Sequence, residues 1–164
     1  MRKFSLFQQL EMRTSNVTVI KAPLEVIYTQ AADLARWPDF LPHYRYNRFL
    51  SKMPWGGIVK MSAVRTIIPT TWISEYRIDT EKCELYFKHL KSAFNATRGM
   101  IVVWSFTNTP EGVRVEITHD LELHWPLIGG FVGKYIVGLF FIHHIATRTL
   151  AGLKRKVEST SPSS

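Results

Sequence analysis

The sequence predicts an α+β fold in which a curved antiparallel β-sheet wraps around one long C-terminal helix, with two short helices after the first strand. Three observations carry this. Apolar and polar residues alternate with a period of two through most of residues 45–123. The period lengthens to that of a helix after Pro126 and holds to about residue 158. An antiparallel sheet of that extent must bury its apolar face, and the last helix is the one element long enough to cover it.

Residues 1–11 read as an N-terminal extension, with Phe4, Phe7 and Leu10 on one stripe of a short helix. The folded domain then spans 12–158, and 159–164, STSPSS, is expected to be a disordered tail. Met12 opens a strand that ends at the turn before Pro23. Apolar residues at 24, 27, 28, 31 and 34 predict a helix over 24–37, with Pro23 in its first turn and Pro38 beyond its end. A second short helix is expected within 39–44. Strands follow at 45–53, 58–66, 72–79, 83–89, 100–107 and 113–123, punctuated by Gly56-Gly57 and by the hairpin signal Glu111-Gly112. The final helix is predicted over 128–158. Ile128, Val132, Tyr135, Leu139, His143, Ala146, Leu150 and Leu153 share its core stripe.

Composition narrows the function. One cysteine, Cys83, rules out an internal disulfide and a cysteine-based zinc site. A cytoplasmic location fits that usage, and Gln8, Gln9 and Glu11 interrupt any signal-peptide core. No metal-binding histidine spacing occurs, so neither a metal nor another cofactor is expected. The net charge of +8 favours anionic partners. The basic residues are scattered and no nucleic-acid motif is present, so nucleic acid is not an expected partner. The run 125–146 is apolar enough to raise a membrane span. Lys134 interrupts it, and a helix gripped by the sheet is the preferred reading. Peripheral contact with an anionic membrane, through the Gly129-Gly130, Phe131 and Gly133 region, is the companion expectation.

The order of elements, with Val19-Ile20-Lys21-Ala22-Pro23 before the first helix, resembles the Bet v 1/START-like helix-grip superfamily. Within it the chain is similar to the polyketide cyclase/dehydrase group, which includes aromatase/cyclases. The matching pieces are Asp33 with Trp37-Pro38-Asp39-Phe40 and Tyr44, then Trp72-Ile73-Ser74-Glu75, Met100 with Trp104, and Gly112-Val113-Arg114-Val115. The resemblance implies an internal cavity closed at one end by the Trp37-Pro38 segment, with Tyr44 pointing inward and Met100 and Trp104 on the wall. It also implies inward arginines on the strand at 72–79, where this chain carries Ile73 and Tyr76 instead. Arg65, one strand earlier, is their expected substitute.

These readings give a set of candidate residues. Tyr44, Arg65, Tyr76 and His119 would supply proton transfer or oxyanion stabilisation. Trp37, Trp72, Ser74, Met100, Trp104, Phe106, Tyr135, Leu139 and His143 would line the ligand. Each has a plainer alternative. Arg65 fits a sheet rim with its head in water, His119 fits a hydrogen-bonded core histidine, and the aromatics fit a filled core. The expected function is binding of a hydrophobic small molecule with polyketide cyclase/dehydrase-like chemistry, catalysis being left open. The alternative is a carrier of lipid, fatty acid or quinone at a membrane surface.

Overall fold

Trp37 sets the geometry of the chain's first third. Residues 10–65, 67–92, 97–123 and 131–160 are described by a computed structural model. Strand β1 (Leu10–Ile20) leads through Pro23 into α1 (Leu24–Ala32). The helix stops at Asp33, a short 3-10 turn covers Leu34–Arg36, and α2 (Trp37–Phe40) restarts with Pro38 in its first turn. The sequence pattern predicted one helix over 24–37. Had it continued, Trp37 would have pointed about 120° away from Ala31. The break instead turns the indole inward, where its Nε1–H donates to the Ala31 carbonyl at 2.9 Å. The second helix, expected within 39–44, therefore begins at Trp37.

Six strands follow: β2 (Tyr44–Met53), β3 (Gly56–Arg65), β4 (Ile68–Asp79), β5 (Glu84–Ser92), β6 (Ile101–Thr109) and β7 (Gly112–Leu123). With β1 they form one seven-stranded sheet in the order β1-β7-β6-β5-β4-β3-β2, antiparallel throughout. The helical segment 24–40 thus carries the chain from one sheet edge to the other. Leu10 and Glu11 pair with Leu123 and Glu122, so β1 begins ahead of the expected Met12. The rest of the expected extension, 1–9, lies outside the described residues.

The long helix α3 (Phe131–Thr160) lies on the concave face, against β1 most of all. Its expected start at 128 falls outside the described residues. Its end runs past 158, and Ser159 and Thr160 donate to the Lys156 carbonyl rather than opening the tail; residues 161–164 are outside the described part. Ile145, Ala146, Thr149, Leu150, Leu153 and Val157 form its buried stripe. Gly152 lets it close on the loop after α2, because a Cβ there would overlap Leu41 Cδ2. Lys154 Nζ donates to the Val19 carbonyl at 2.8 Å, and Glu158 accepts the Lys21 backbone N–H at 2.9 Å. This is the helix-grip fold. No helix among the described residues is long and apolar enough to cross a membrane.

The Trp37 ring is 2% exposed, stacks on Trp104 at 5.2 Å and meets Tyr44 edge-on at 5.1 Å. Trp37→Ala should therefore cost about 3–5 kcal/mol of unfolding free energy, and Trp37→Phe, which removes only the N–H and part of the ring, about 1–3. Urea unfolding of both variants checks this; equal, small losses would show that the indole does not anchor the helical segment.

Candidate functional site

The concave face of the sheet is built by strict alternation. Ser74 and Tyr76 on β4, Leu85, Phe87 and His89 on β5, Val102, Trp104 and Phe106 on β6, and Val115, Ile117, His119 and Leu121 on β7 all point inward and are buried. From the centre of this face a run of rings reaches its end near the β5–β6 connection. Phe87 and Trp104 touch Trp37, Trp37 touches Tyr44, Tyr44 meets Trp72 at 6.2 Å, and Trp72 stacks on His89 at 5.9 Å with 23° between planes. Trp37 and Tyr44 thus complete the wall that the sheet residues begin.

One polar cluster stands where that run ends. His89 Nδ1 lies 2.9 Å from Thr97 Oγ1, and Ser74 faces His89 directly across the β4–β5 ladder. On the other flank of the face Thr14 meets His119 across the β1–β7 ladder, in one row with Val102, Phe87 and Tyr76, and Asn16 lies one inward position further along β1, in the row of Trp104. The Asn16 amide N–H donates to Thr147 Oγ1 at 2.9 Å and to His143 Nδ1 at 3.0 Å. Four side-chain atoms of this face are buried with no hydrogen-bond partner among the described residues: Thr14 Oγ1, Asn16 Oδ1, Ser74 Oγ and His119 Nδ1. A buried polar atom left unpaired costs free energy, so each of these four has hydrogen-bonding capacity that the described residues leave unused.

The electrostatics are those of neutral groups. Burial, reinforced by His143, lowers the His119 pKa to about 4, and burial with His119 nearby lowers His89 to about 3. His43 falls to about 4 for the same reason, with Arg148 and His144 adding to it. Its Nε2 is 2.8 Å from Thr149 Oγ1, which donates onward to the Ile145 carbonyl at 2.8 Å and also holds the Tyr44 hydroxyl. Burial raises the Tyr44 pKa. Among the described residues the buried polar side chains are Asn, His, Ser and Thr, with no Asp, Glu, Lys or Arg. The described residues hold no group of His, Cys, Asp and Glu able to bind a metal.

The candidate residues do not all meet. Tyr44 is buried against Trp37 and Trp72, tied to Thr149. His119 sits with Thr14 and near His89. Tyr76 is three strands from His119, about 14 Å along the sheet, and lines a separate cleft of about 490 Å³ with Asp33, Leu34, Phe49, Lys52 and Ile78. Burial raises the Tyr76 pKa as well. Arg65 is the last residue of β3, paired with Ile68; its side chain and those of Tyr135 and Leu139 lie outside the described residues. Ser74, Met100, Trp104 and Phe106 are buried as expected of wall residues, and Trp72 is half-buried. His143, placed by sequence in the core stripe, is exposed, because α3 at that level rides over the edge strand β1 and leaves one flank open.

Sequence reasoning passed over His89, Asn16, Thr14 and the His43–Thr149 pair. The signal for His89 was present, since it shares parity with Leu85 and Phe87. The pairing of His43 with Thr149 joins residues 106 positions apart, which no local pattern shows.

The polyketide cyclase / dehydrase and lipid transport family model matches residues 20–137. A protein of Streptomyces cyaneus provisionally named a polyketide cyclase is 26% identical over 116 residues, covering 67% of this chain and 72% of that protein. Among solved structures, TTHA0849 from Thermus thermophilus aligns with a TM-score of 0.71 at 24% identity, over 93% of this chain and 99% of the other. The Zhui aromatase/cyclase from Streptomyces sp. R1128 aligns with a TM-score of 0.75 at 14% identity, over 91% and 94%. These two likenesses are likenesses of fold.

The buried histidines set a pH dependence. Their folded pKa values of about 3 to about 4 lie below the unfolded value of about 6.5. The unfolded chain therefore binds protons first, and stability that is full above about pH 6.5 is lost as pH falls toward 4. Each histidine contributes a slope of up to about 1.4 kcal/mol per pH unit. Glu116, whose pKa is lowered by Arg114 and Ser15, adds its loss only below about 4.5. Urea midpoints should fall between about pH 6 and 4.5, with a shallower fall in His119→Gln; a flat profile there would contradict burial in the neutral form.

Proposed function

The chain belongs to the polyketide cyclase / dehydrase and lipid transport family, and from that membership we propose that it binds an oxygen-bearing hydrophobic molecule between the concave face and α3, and cyclises it by aldol condensation with loss of water. The observation that carries this reading is the set of four buried polar atoms on that face with no partner among the described residues. A hydrocarbon chain could not pair them. A poly-β-keto chain, with a carbonyl on every second carbon, could.

The chemistry follows from the neutrality of the groups. A β-dicarbonyl unit enolises without a strong base. The enol carbon attacks a second carbonyl in the same chain, a C–C bond forms, and the new alkoxide takes up the enol proton. Loss of the hydroxyl with an adjacent hydrogen then gives water and a double bond. His119, held neutral by burial, is suited to a hydrogen bond on a carbonyl or enol oxygen rather than to permanent charge. The Thr14 hydroxyl would hold a second oxygen beside His119, and Ser74, three strands away, one further along an extended chain. Trp37, Trp72, Met100, Trp104 and Phe106 would fold the chain against the sheet, supplying orientation, and Tyr135, Leu139 and His143 would bound it from α3. Tyr44 is assigned the part of a fixed wall; Arg65, paired with Ile68 at the tip of β3, is six residues along the strand from Val59, the partner of Ser74, and is given no part at these oxygens.

A carrier is the second reading, and one observation favours it. The absence of buried charge among the described residues suits an uncharged cargo such as a quinone or neutral lipid better than a fatty-acid carboxylate.

The test is direct. With an aryl poly-β-ketone mimic, the wild type should release a cyclised, dehydrated product, and His119→Gln should slow this about a hundredfold while keeping the melting temperature and most of the binding. A wild type that forms no such product but retains a stoichiometric quinone or lipid in native mass spectrometry would replace catalysis with carriage.

A further inference from the structure

Among the described residues the large apolar side chains standing in solvent are unevenly placed. Besides Val17 and Val26 they form two groups: Leu50, Met53 and Trp55 towards the β2–β3 turn, and Ile67 and Ile68 at the opposite end of the sheet. The two most exposed are consecutive: Ile67 at 84% and Ile68 at 65%. They sit where β3 reverses into β4, with Arg65 paired to Ile68. Tight reversals ordinarily use Gly, Asn, Asp or Ser, and these isoleucines bury little on folding. The reversal also projects. The β4–β5 register ends at Trp72 with Ser92, so Ile68 stands four residues, about 13 Å, past the last residue of β5.

Charge around this prong has one sign. No Asp or Glu occurs between Asp39 and Glu75, or between Glu84 and Glu111. Arg45 at the start of β2, Lys91 near the end of β5 and Arg98 before β6 are all exposed at the same end of the sheet. The acidic residues of that end, Glu11, Asp120 and Glu122, are carried by β1 and β7 on the far side of the sheet.

We infer that the Ile67–Ile68 prong docks the protein on an anionic lipid bilayer, the two side chains entering the headgroup–acyl boundary while Arg45, Lys91 and Arg98 lie over its phosphates. A narrow apolar prong ringed by cations matches a fluid anionic interface, which parts around it. A rigid acidic protein face would need a pocket shaped for it. The prong stands at the end of the sheet where Trp72, His89 and Thr97 gather, so docking would present that end of the site to the membrane. This rests on the reading of the site as a receptor for a hydrophobic molecule.

The experiment is co-sedimentation with vesicles of phosphatidylcholine mixed with phosphatidylglycerol, against pure phosphatidylcholine, at low and raised salt. The wild type should bind the anionic vesicles, with each basic residue worth about fivefold. Ile67→Ser/Ile68→Ser should weaken binding at least tenfold with no change in melting temperature, and Arg45→Glu/Lys91→Glu should weaken it on anionic vesicles alone. Absence of wild-type binding overturns the inference. So does equal binding by the serine variant, which would mean adsorption by charge only. Native mass spectrometry of the same proteins separates the two readings: loss of vesicle binding with the small-molecule complement intact removes the docking surface, and a protein that takes up no hydrophobic molecule yet still docks removes the receptor.

Discussion

The structure depends on getting one indole inside. Trp37 lies between the helical segment and the sheet, stacked on Trp104, edge-on to Tyr44 and hydrogen-bonded to the Ala31 carbonyl. A buried indole needs a partner for its N–H, and the break at Asp33 supplies one by freeing the C-terminal carbonyls of α1. With Trp37 in place, the next residues are committed. Leu41 meets Gly152 of α3, His43 and Tyr44 share Thr149, and β2 starts at the sheet edge opposite β1. The grip on the C-terminal half of α3 is therefore built from this segment as well as from the sheet.

The same packing decides the character of the site. Aromatic rings fill the middle of the concave face, and polar groups flank them, Thr14 and His119 on β1 and β7 and His89 and Ser74 on β5 and β4. Burial strips the histidines of charge because desolvation penalises the imidazolium more than the neutral ring. What remains is a surface of dipoles that can exchange hydrogen bonds with a ligand's oxygens without burying an ion. Oriented neutral donors of that kind stabilise developing charge without a large desolvation cost.

Much of this was legible in the sequence. The period-two runs placed six strands within a few residues of their observed positions, because each inward side chain on a half-buried strand must be apolar or paired. The same alternation put Ser74, Tyr76, Met100, Trp104, Phe106 and His119 on the inner side. What it could not show was distance along that face. Tyr76 and His119 share it, yet three strands separate them and Tyr76 opens onto a different cleft. Helical periodicity likewise put His143 on the core stripe without revealing that the helix runs over an edge strand there.

The sequence by itself determined the element order, the inward parity of the strands at 58–66, 72–79, 100–107 and 113–123, and the closure by a long last helix, because these follow from local period and from the need to cover an apolar sheet. Tertiary structure alone decided where α1 breaks, which polar atoms stay unpaired and which histidines lose their charge. Those outcomes turn on contacts between residues brought together in space, from Trp37 with Trp104 to Asn16 with His143 and His43 with Thr149. A hydrogen bond or a desolvation penalty is set by what surrounds an atom in space, and chain order does not carry that.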